Sequence, residues 1–150
     1  MLDQVAYFSP AAPPPFEPND SVSGGKRTGQ VPLRVLVVDD ERLIAQTVAA
    51  ILNAHGFVAR EAFNGEEALR LARSFQPDIV LSDVLMPRMS GVELGIRLRG
   101  ECPDTRVLLF SGQAATSELM RKAHEDGYHF ELFPKPIHPE ELIARLRSLM

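Results

Sequence analysis

The chain has 150 residues, 45% of them apolar and 24% charged, enough for one globular domain with its own core. A formal net charge of −4, with Lys and Arg scattered along the chain, excludes the basic footprint of a direct nucleic-acid binder. Cys102 is the one cysteine, which excludes an intrachain disulfide and a cysteine-rich zinc centre.

No apolar run reaches the length of a membrane span, and Met1-Leu2-Asp3-Gln4 lacks the basic and apolar stretches of a signal peptide. A soluble cytoplasmic protein is therefore expected. Residues 9–32 carry Pro10, Pro13, Pro14, Pro15, Pro18 and Pro32 among glycines and small polar residues, a composition that buries too little apolar area to offset the entropy of ordering. Residues 1–31 are expected to form a flexible arm, in which Phe8 and Phe16 are candidate docking side chains.

From Leu33 onward, short apolar runs alternate with amphipathic stretches, the pattern of β-α units around a parallel sheet. Residues 33–38 (Leu-Arg-Val-Leu-Val-Val) read as a buried strand. Leu43, Ile44, Thr47, Val48, Ile51 and Leu52 recur at helical spacing, and Gly56 closes that helix. Val58 to Phe63 is a second strand; Arg60 and Glu61 inside it predict a place at a sheet edge. Asn64 caps a second helix that runs to about Phe75, and Pro77 blocks its continuation.

Ile79-Val80-Leu81-Ser82 then forms a third strand that delivers Asp83 at its carboxyl end. Ser90-Gly91-Val92-Glu93 starts a third helix, Arg106 to Phe110 is a fourth strand, and Ala115 to about Asp126 is a fourth helix stopped near Gly127. Phe130 to Phe133 is a fifth strand. His138-Pro139-Glu140-Glu141 opens the last helix, with proline in the first turn, acids at the positive end of the dipole, and Leu142, Ile143, Leu146 and Leu149 facing inward.

In an open α/β sheet, ligands bind beyond the carboxyl ends of the strands, where the strand order reverses. Strand one ends in Asp39-Asp40-Glu41, strand three in Asp83, strand four in Ser111-Gly112, and strand five in Lys135-Pro136. Each has an ordinary structural reading alone, as a helix cap or a turn. Together they put carboxylates at one edge, where like charges about 4 Å apart repel by roughly 4 kcal/mol at an effective dielectric near 20. An all-oxygen set of this kind suits a hard divalent cation such as Mg²⁺, and Lys135 adds a compact ammonium. A carboxylate held against a cation and a lysine is equipped to attack a phosphoryl group, with the Ser111 hydroxyl as a further donor. His55, His124, His129 and His138 are dispersed over loops and helix ends without ligand spacing.

Four pieces in order carry a resemblance. They are Val35-Leu36-Val37-Val38-Asp39-Asp40-Glu41, Asp78-Ile79-Val80-Leu81-Ser82-Asp83-Val84-Leu85-Met86-Pro87, Leu108-Leu109-Phe110-Ser111-Gly112 and Lys135-Pro136. Over residues 32–150 the chain resembles a response-regulator receiver domain of the chemotaxis-regulator type. The resemblance implies a single doubly wound, flavodoxin-like five-stranded parallel sheet of order 2-1-3-4-5. It also implies Asp83 as phosphoacceptor, Mg²⁺ held by Asp39, Asp40, Asp83 and the backbone carbonyl of Leu85, Ser111 as switch hydroxyl, and Lys135 as the phosphate-pairing lysine before a cis Pro136.

The implied donor is a phosphohistidine on a sensor kinase or phosphotransfer protein. The implied output is contact with a further protein by a monomer or weak dimer, with no DNA-binding domain in this chain. The resemblance departs at Leu132, where receivers carry Tyr or Phe, and one extra residue stands between Gly127 and Lys135; Phe130 and Phe133 are the candidate substitutes.

Four further readings compete with the switch. A phosphate shuttle in a relay has the same sequence signature. A Mg²⁺-dependent aspartyl-phosphate hydrolase also uses a strand-end Asp, but those enzymes resemble an Asp-x-Asp pattern after strand one, whereas Asp39 and Asp40 are adjacent. A flavodoxin-like binding module lacks its phosphate loop here. A receiver that is never phosphorylated is disfavoured because all the site positions are filled.

Overall fold

The computed structural model describes residues 31–112 and 116–149. The arm expected over residues 1–31 lies outside them apart from Val31, as does the expected start of the fourth helix at Ala115. Strands β1 (Arg34–Val38), β2 (Val58–Ala62), β3 (Ile79–Asp83), β4 (Arg106–Ser111) and β5 (Glu131–Pro134) alternate with helices α1 (Arg42–Ala54), α2 (Gly65–Phe75), α3 (Gly91–Glu101), α4 (Thr116–Glu125) and α5 (Pro139–Arg147). The strands form one five-stranded sheet in the order β2-β1-β3-β4-β5, and every pairing is parallel. The order reverses beside β1, so β1 and β3 diverge into helices on opposite faces and leave a crevice at their carboxyl ends.

Both faces of the central strands are covered, which is why β1 and β3 hold uncharged apolar runs. Side chains alternate along each strand. Val35, Val37, Ile79, Leu81, Leu108 and Phe110 enter one buried layer with Ala45, Val48 and Leu52 of α1 and Leu142, Ile143 and Leu146 of α5. Leu36, Val38 and Val80 enter the other, with Ala68, Leu69 and Ala72 of α2 and Leu94 and Leu98 of α3. Each large apolar side chain so buried contributes roughly 1.5–3 kcal/mol of transfer free energy. No helix among the described residues is long and apolar enough to cross a membrane.

Local signals hold at the helix ends. The Asn64 side chain accepts from the Glu67 N–H at 2.8 Å, and Ser90 forms a reciprocal capping box with Glu93. Gly56 and Gly127 adopt φ of 92° and 93°, the left-handed region that suits glycine after a helix.

Two elements differ from expectation. The apolar stripe of α1 is wider than its buried face: Leu43 is 76% exposed, and Leu43, Ile44, Thr47 and Ile51 line a groove. Strand β5 begins at Glu131 rather than Phe130, because the Phe130 ring leaves the strand line to lie against Gly95 of α3, under the Arg99 guanidinium and stacked with Tyr128. Neither candidate replaces the aromatic expected at Leu132. Phe133 pairs with Phe110 and packs into the α1–α5 layer, while Phe130 sits nearer the amino end, beside Val107. Leu132, paired with Leu109, remains 42% exposed.

Candidate functional site

The alternation that builds the α1–α5 layer also assembles the site. Asp39 continues the series Val35, Val37; Asp83 continues Ile79, Leu81; Lys135 continues Phe133. Three strands therefore deliver polar side chains to the same side at the carboxyl edge, above the last core ring, Phe110. The Lys135 ammonium lies 3.5 Å from Asp39 Oδ2, 3.4 Å from Asp83 Oδ1 and 5.2 Å from the centroid of the Phe110 ring. Asp39 is fully buried, Asp83 and Ser111 are each 7% exposed, and Asp40 faces solvent.

Backbone groups fix the carboxylates. The Glu41 N–H donates to Asp39 Oδ1 at 2.9 Å, and the Val84 N–H donates to Asp83 Oδ1 at 3.0 Å. The Ser82 hydroxyl donates to the Asp83 carbonyl at 2.9 Å, and the Gly91 N–H to the Val84 carbonyl at 2.8 Å. Gly91 is required there: a methyl on it would run into the Asp83 carbonyl oxygen. The Lys135–Pro136 peptide is cis, and the Lys135 N–H donates to the Ser111 carbonyl at 3.3 Å, which ties the ends of β4 and β5 together.

Charge is unbalanced in this pocket. Burial, then the Asp39 charge, push the Asp83 carboxyl up to about 6, against the opposing pull of Lys135. Asp39 is raised as well, by burial first, against the Glu41 N–H and Lys135. Burial draws the Lys135 ammonium down, but Asp83 and Asp39 together outweigh it and hold the group above its ordinary value. One ammonium does not neutralise the carboxylates around it.

Each of Asp39, Asp40 and Asp83 offers an oxygen within 4.8 Å of the others. Three carboxylates without nitrogen or sulfur ligands fit a hard divalent cation, and the raised carboxyls mark the place where added positive charge stabilises the fold.

Asp40, Asp83, Leu85, Ser111 and Lys135 line one end of a groove of about 930 Å³ that continues between α1 and the start of α5, over Ile44, Ile51, Ile137 and Leu142. All the side chains expected at the site thus converge, with Asp39 beneath them. The histidines are less dispersed than expected, since the His124 and His129 rings meet edge to face at 4.2 Å between centroids. The sequence reading did not anticipate Phe110 under the ammonium or Gly91 against Asp83. Strand parity signals the first, and the second has no local sequence signal.

A doubly wound parallel sheet whose carboxyl edge gathers buried aspartates, a lysine and a serine defines a phosphate- and cation-handling class rather than a dinucleotide binder. The chain belongs to the response regulator receiver domain family, whose model matches residues 35–147. It is 38% identical over 120 residues to response regulator MprA of Mycolicibacterium vanbaalenii, covering 80% of this chain and 51% of that protein. It is 37% identical over 118 residues to MprA of Mycobacterium tuberculosis, covering 79% and 50%.

Among solved structures, the Vibrio cholerae chemotaxis protein CheY4 superposes with a TM-score of 0.70 at 29% identity, covering 80% of this chain and all of that one. The receiver domain of Francisella response regulator 1452 gives 0.66 at 32% identity, covering 78% and 95%. The chain spans about half the length of the curated relatives it matches. Receivers are the phosphorylation-controlled switches of two-component systems; they bind Mg²⁺ at an acidic pocket and work with histidine kinases or phosphotransfer proteins.

Proposed function

We propose that this chain is a phosphorylation switch in which Asp83 accepts the phosphoryl group. The observation that carries the reading is the placement of Asp83 at the sheet's carboxyl edge, 7% exposed, with the Lys135 ammonium 3.4 Å from its oxygen. In the step proposed, an Asp83 carboxylate oxygen bonds to phosphorus as the bond to a histidine ring nitrogen of the donor breaks, and the imidazole leaves with the electron pair. The Lys135 ammonium meets one of the three equatorial oxygens and the Ser111 hydroxyl donates to another, matching donors to the charge those oxygens carry.

Asp39, Asp40, Asp83 and the Leu85 backbone carbonyl would hold Mg²⁺. When bound, the cation offsets the carboxylates' repulsion and adds positive charge beside the phosphoryl oxygens. The groove over α1 suits a helix of the donor protein, since Leu43, Ile44, Ile51, Ile137 and Leu142 make much of its wall apolar and its polar end lies at Asp83. Residues 32–150 form the switch in this reading, and residues 1–31 an appended arm. Acyl phosphate formation then shifts a two-state equilibrium that changes a protein-binding surface.

The test is intact-mass measurement after incubation with Mg²⁺ and acetyl phosphate. Wild type gains one phosphoryl group and Asp83→Asn gains none. Release of many equivalents of phosphate would replace the switch with the hydrolase reading, and onward transfer to a phosphotransfer histidine would make the chain a relay shuttle.

A further inference from the structure

We propose that Phe110 is a positioning residue for phosphoryl transfer, its ring face holding the Lys135 ammonium between Asp39 and Asp83 so that neither carboxylate captures it. This rests on the reading of Asp83 as phosphoacceptor and adds to it the group that keeps Asp83 available.

Three observations carry it. The ammonium lies over the Phe110 ring at 5.2 Å from the centroid, within the range in which the negative face of an aromatic ring attracts a cation. It stands 3.4 Å from one carboxylate and 3.5 Å from the other, whereas an ammonium closed onto a single carboxylate settles at about 2.8 Å. Phe110 is fully buried, on the last inward position of β4 before Ser111, so the ring is clamped by the α1–α5 layer and cannot follow the lysine if it moves.

The chemical consequence concerns the nucleophile. A lysine closed onto Asp83 would draw charge out of the carboxylate that must attack phosphorus, and its protons would be spent before a phosphoryl oxygen arrived. Held on the ring at 3.4 and 3.5 Å from two acceptors, the ammonium adds only a long contact to Asp83 Oδ1, which already accepts the Val84 N–H at 3.0 Å, and is able to turn toward the phosphoryl oxygens when they come in. Phe110 touches neither phosphorus nor donor, so it acts through Lys135.

The experiment uses the full chain with Phe110 replaced by a ring-trifluorinated phenylalanine, which keeps the shape and apolar character of the side chain but withdraws the negative charge from its face. The limiting rate of phosphoryl uptake from acetyl phosphate, at saturating Mg²⁺, is expected to fall about threefold, with the melting temperature unchanged. Phe110→Leu, which removes the ring, is expected to slow uptake by about tenfold.

A trifluorinated chain as fast as wild type overturns the proposal. A second reading needs no phosphodonor: in proton NMR of metal-free wild type, the Lys135 ε-methylene resonances are expected upfield, shielded by the ring, and at their ordinary position in Phe110→Leu. Unshifted resonances in wild type also overturn it. Failure of wild type to take up any phosphoryl group would defeat the proposed function and the kinetic role together, and the ring-current shift would still decide whether the ammonium sits on the ring.

Discussion

The two ends of strands β1 and β3 treat polar groups in opposite ways. At the amino end, Arg34 and Asp78 close on one another and on their neighbours: the Arg34 N–H donates to Asp78 Oδ2 at 2.9 Å, the Asp78 N–H to the Arg34 carbonyl at 2.8 Å, and Arg34 Nε to the Phe75 carbonyl at 2.9 Å. The Thr105 hydroxyl donates to the Pro77 carbonyl at 2.8 Å beside them. At the carboxyl end, about five residues further along the same strands, the ammonium is shared at 3.4 and 3.5 Å and two carboxyls are held above their usual range. One end uses its polar groups to fix strand register. The other keeps charge unneutralised, which costs stability and leaves room for a ligand.

The sharpest test of this contrast is Gly91→Ala. The added methyl meets the Asp83 carbonyl oxygen, which belongs to the backbone and cannot swing away, so α3 or the end of β3 must shift. A loss of about 3 kcal/mol or more in chemical denaturation is expected, with loss of phosphoryl uptake. Gly65→Ala offers the control, because its methyl meets the Sδ, Cγ and Cβ atoms of the Met89 side chain rather than a backbone carbonyl, and should cost less than Gly91→Ala though not nothing.

The next effect is on pH dependence. The Asp83 carboxyl stands at about 6 in the folded chain against 3.8 in the unfolded one, so the folded state binds the extra proton between those values. In metal-free buffer the stabilisation from this proton is complete below pH 3.8 and is lost as pH rises through about 6. Asp83→Asn removes the burial penalty of the charge and should therefore stabilise the metal-free protein at neutral pH by about 2 kcal/mol, read by denaturant midpoint. Mg²⁺ should raise the stability of wild type and not of Asp83→Asn. A destabilised Asp83→Asn would show that the pocket is neutral as it stands.

At the amino end, Asp78→Ala should cost about 1 kcal/mol or less, the ordinary worth of one exposed hydrogen bond, and leave phosphoryl uptake at the wild-type rate. A large kinetic effect there would erase the distinction between the two ends.

Much of this was legible in the chain because strand parity and turn chemistry are local. An apolar run marked β1 as a buried strand, the charged Arg60 and Glu61 placed β2 at the edge, and Asn64 and Ser90 marked the helix starts they cap. The site residues were legible as strand-end residues, since topology alone brings strand ends together. What was lost required contacts across the fold. Nothing near Phe130 announces that Gly95, on α3, leaves space for its ring, so the start of β5 was misplaced by one residue. Helical spacing found α1 but could not separate Leu52, which is buried away from the groove, from Leu43 and Ile51, which border it.

The groove over α1 and the acidic pocket share Asp40, Asp83, Ser111 and Lys135 as common walls. A body seated in the first necessarily roofs the second. Under the proposed function, delivery and readout on this side must take turns: the donor has to depart before water or a second protein can reach the phosphorylated carboxylate, so the lifetime of the donor complex sets the earliest moment at which the signal can be passed on or erased.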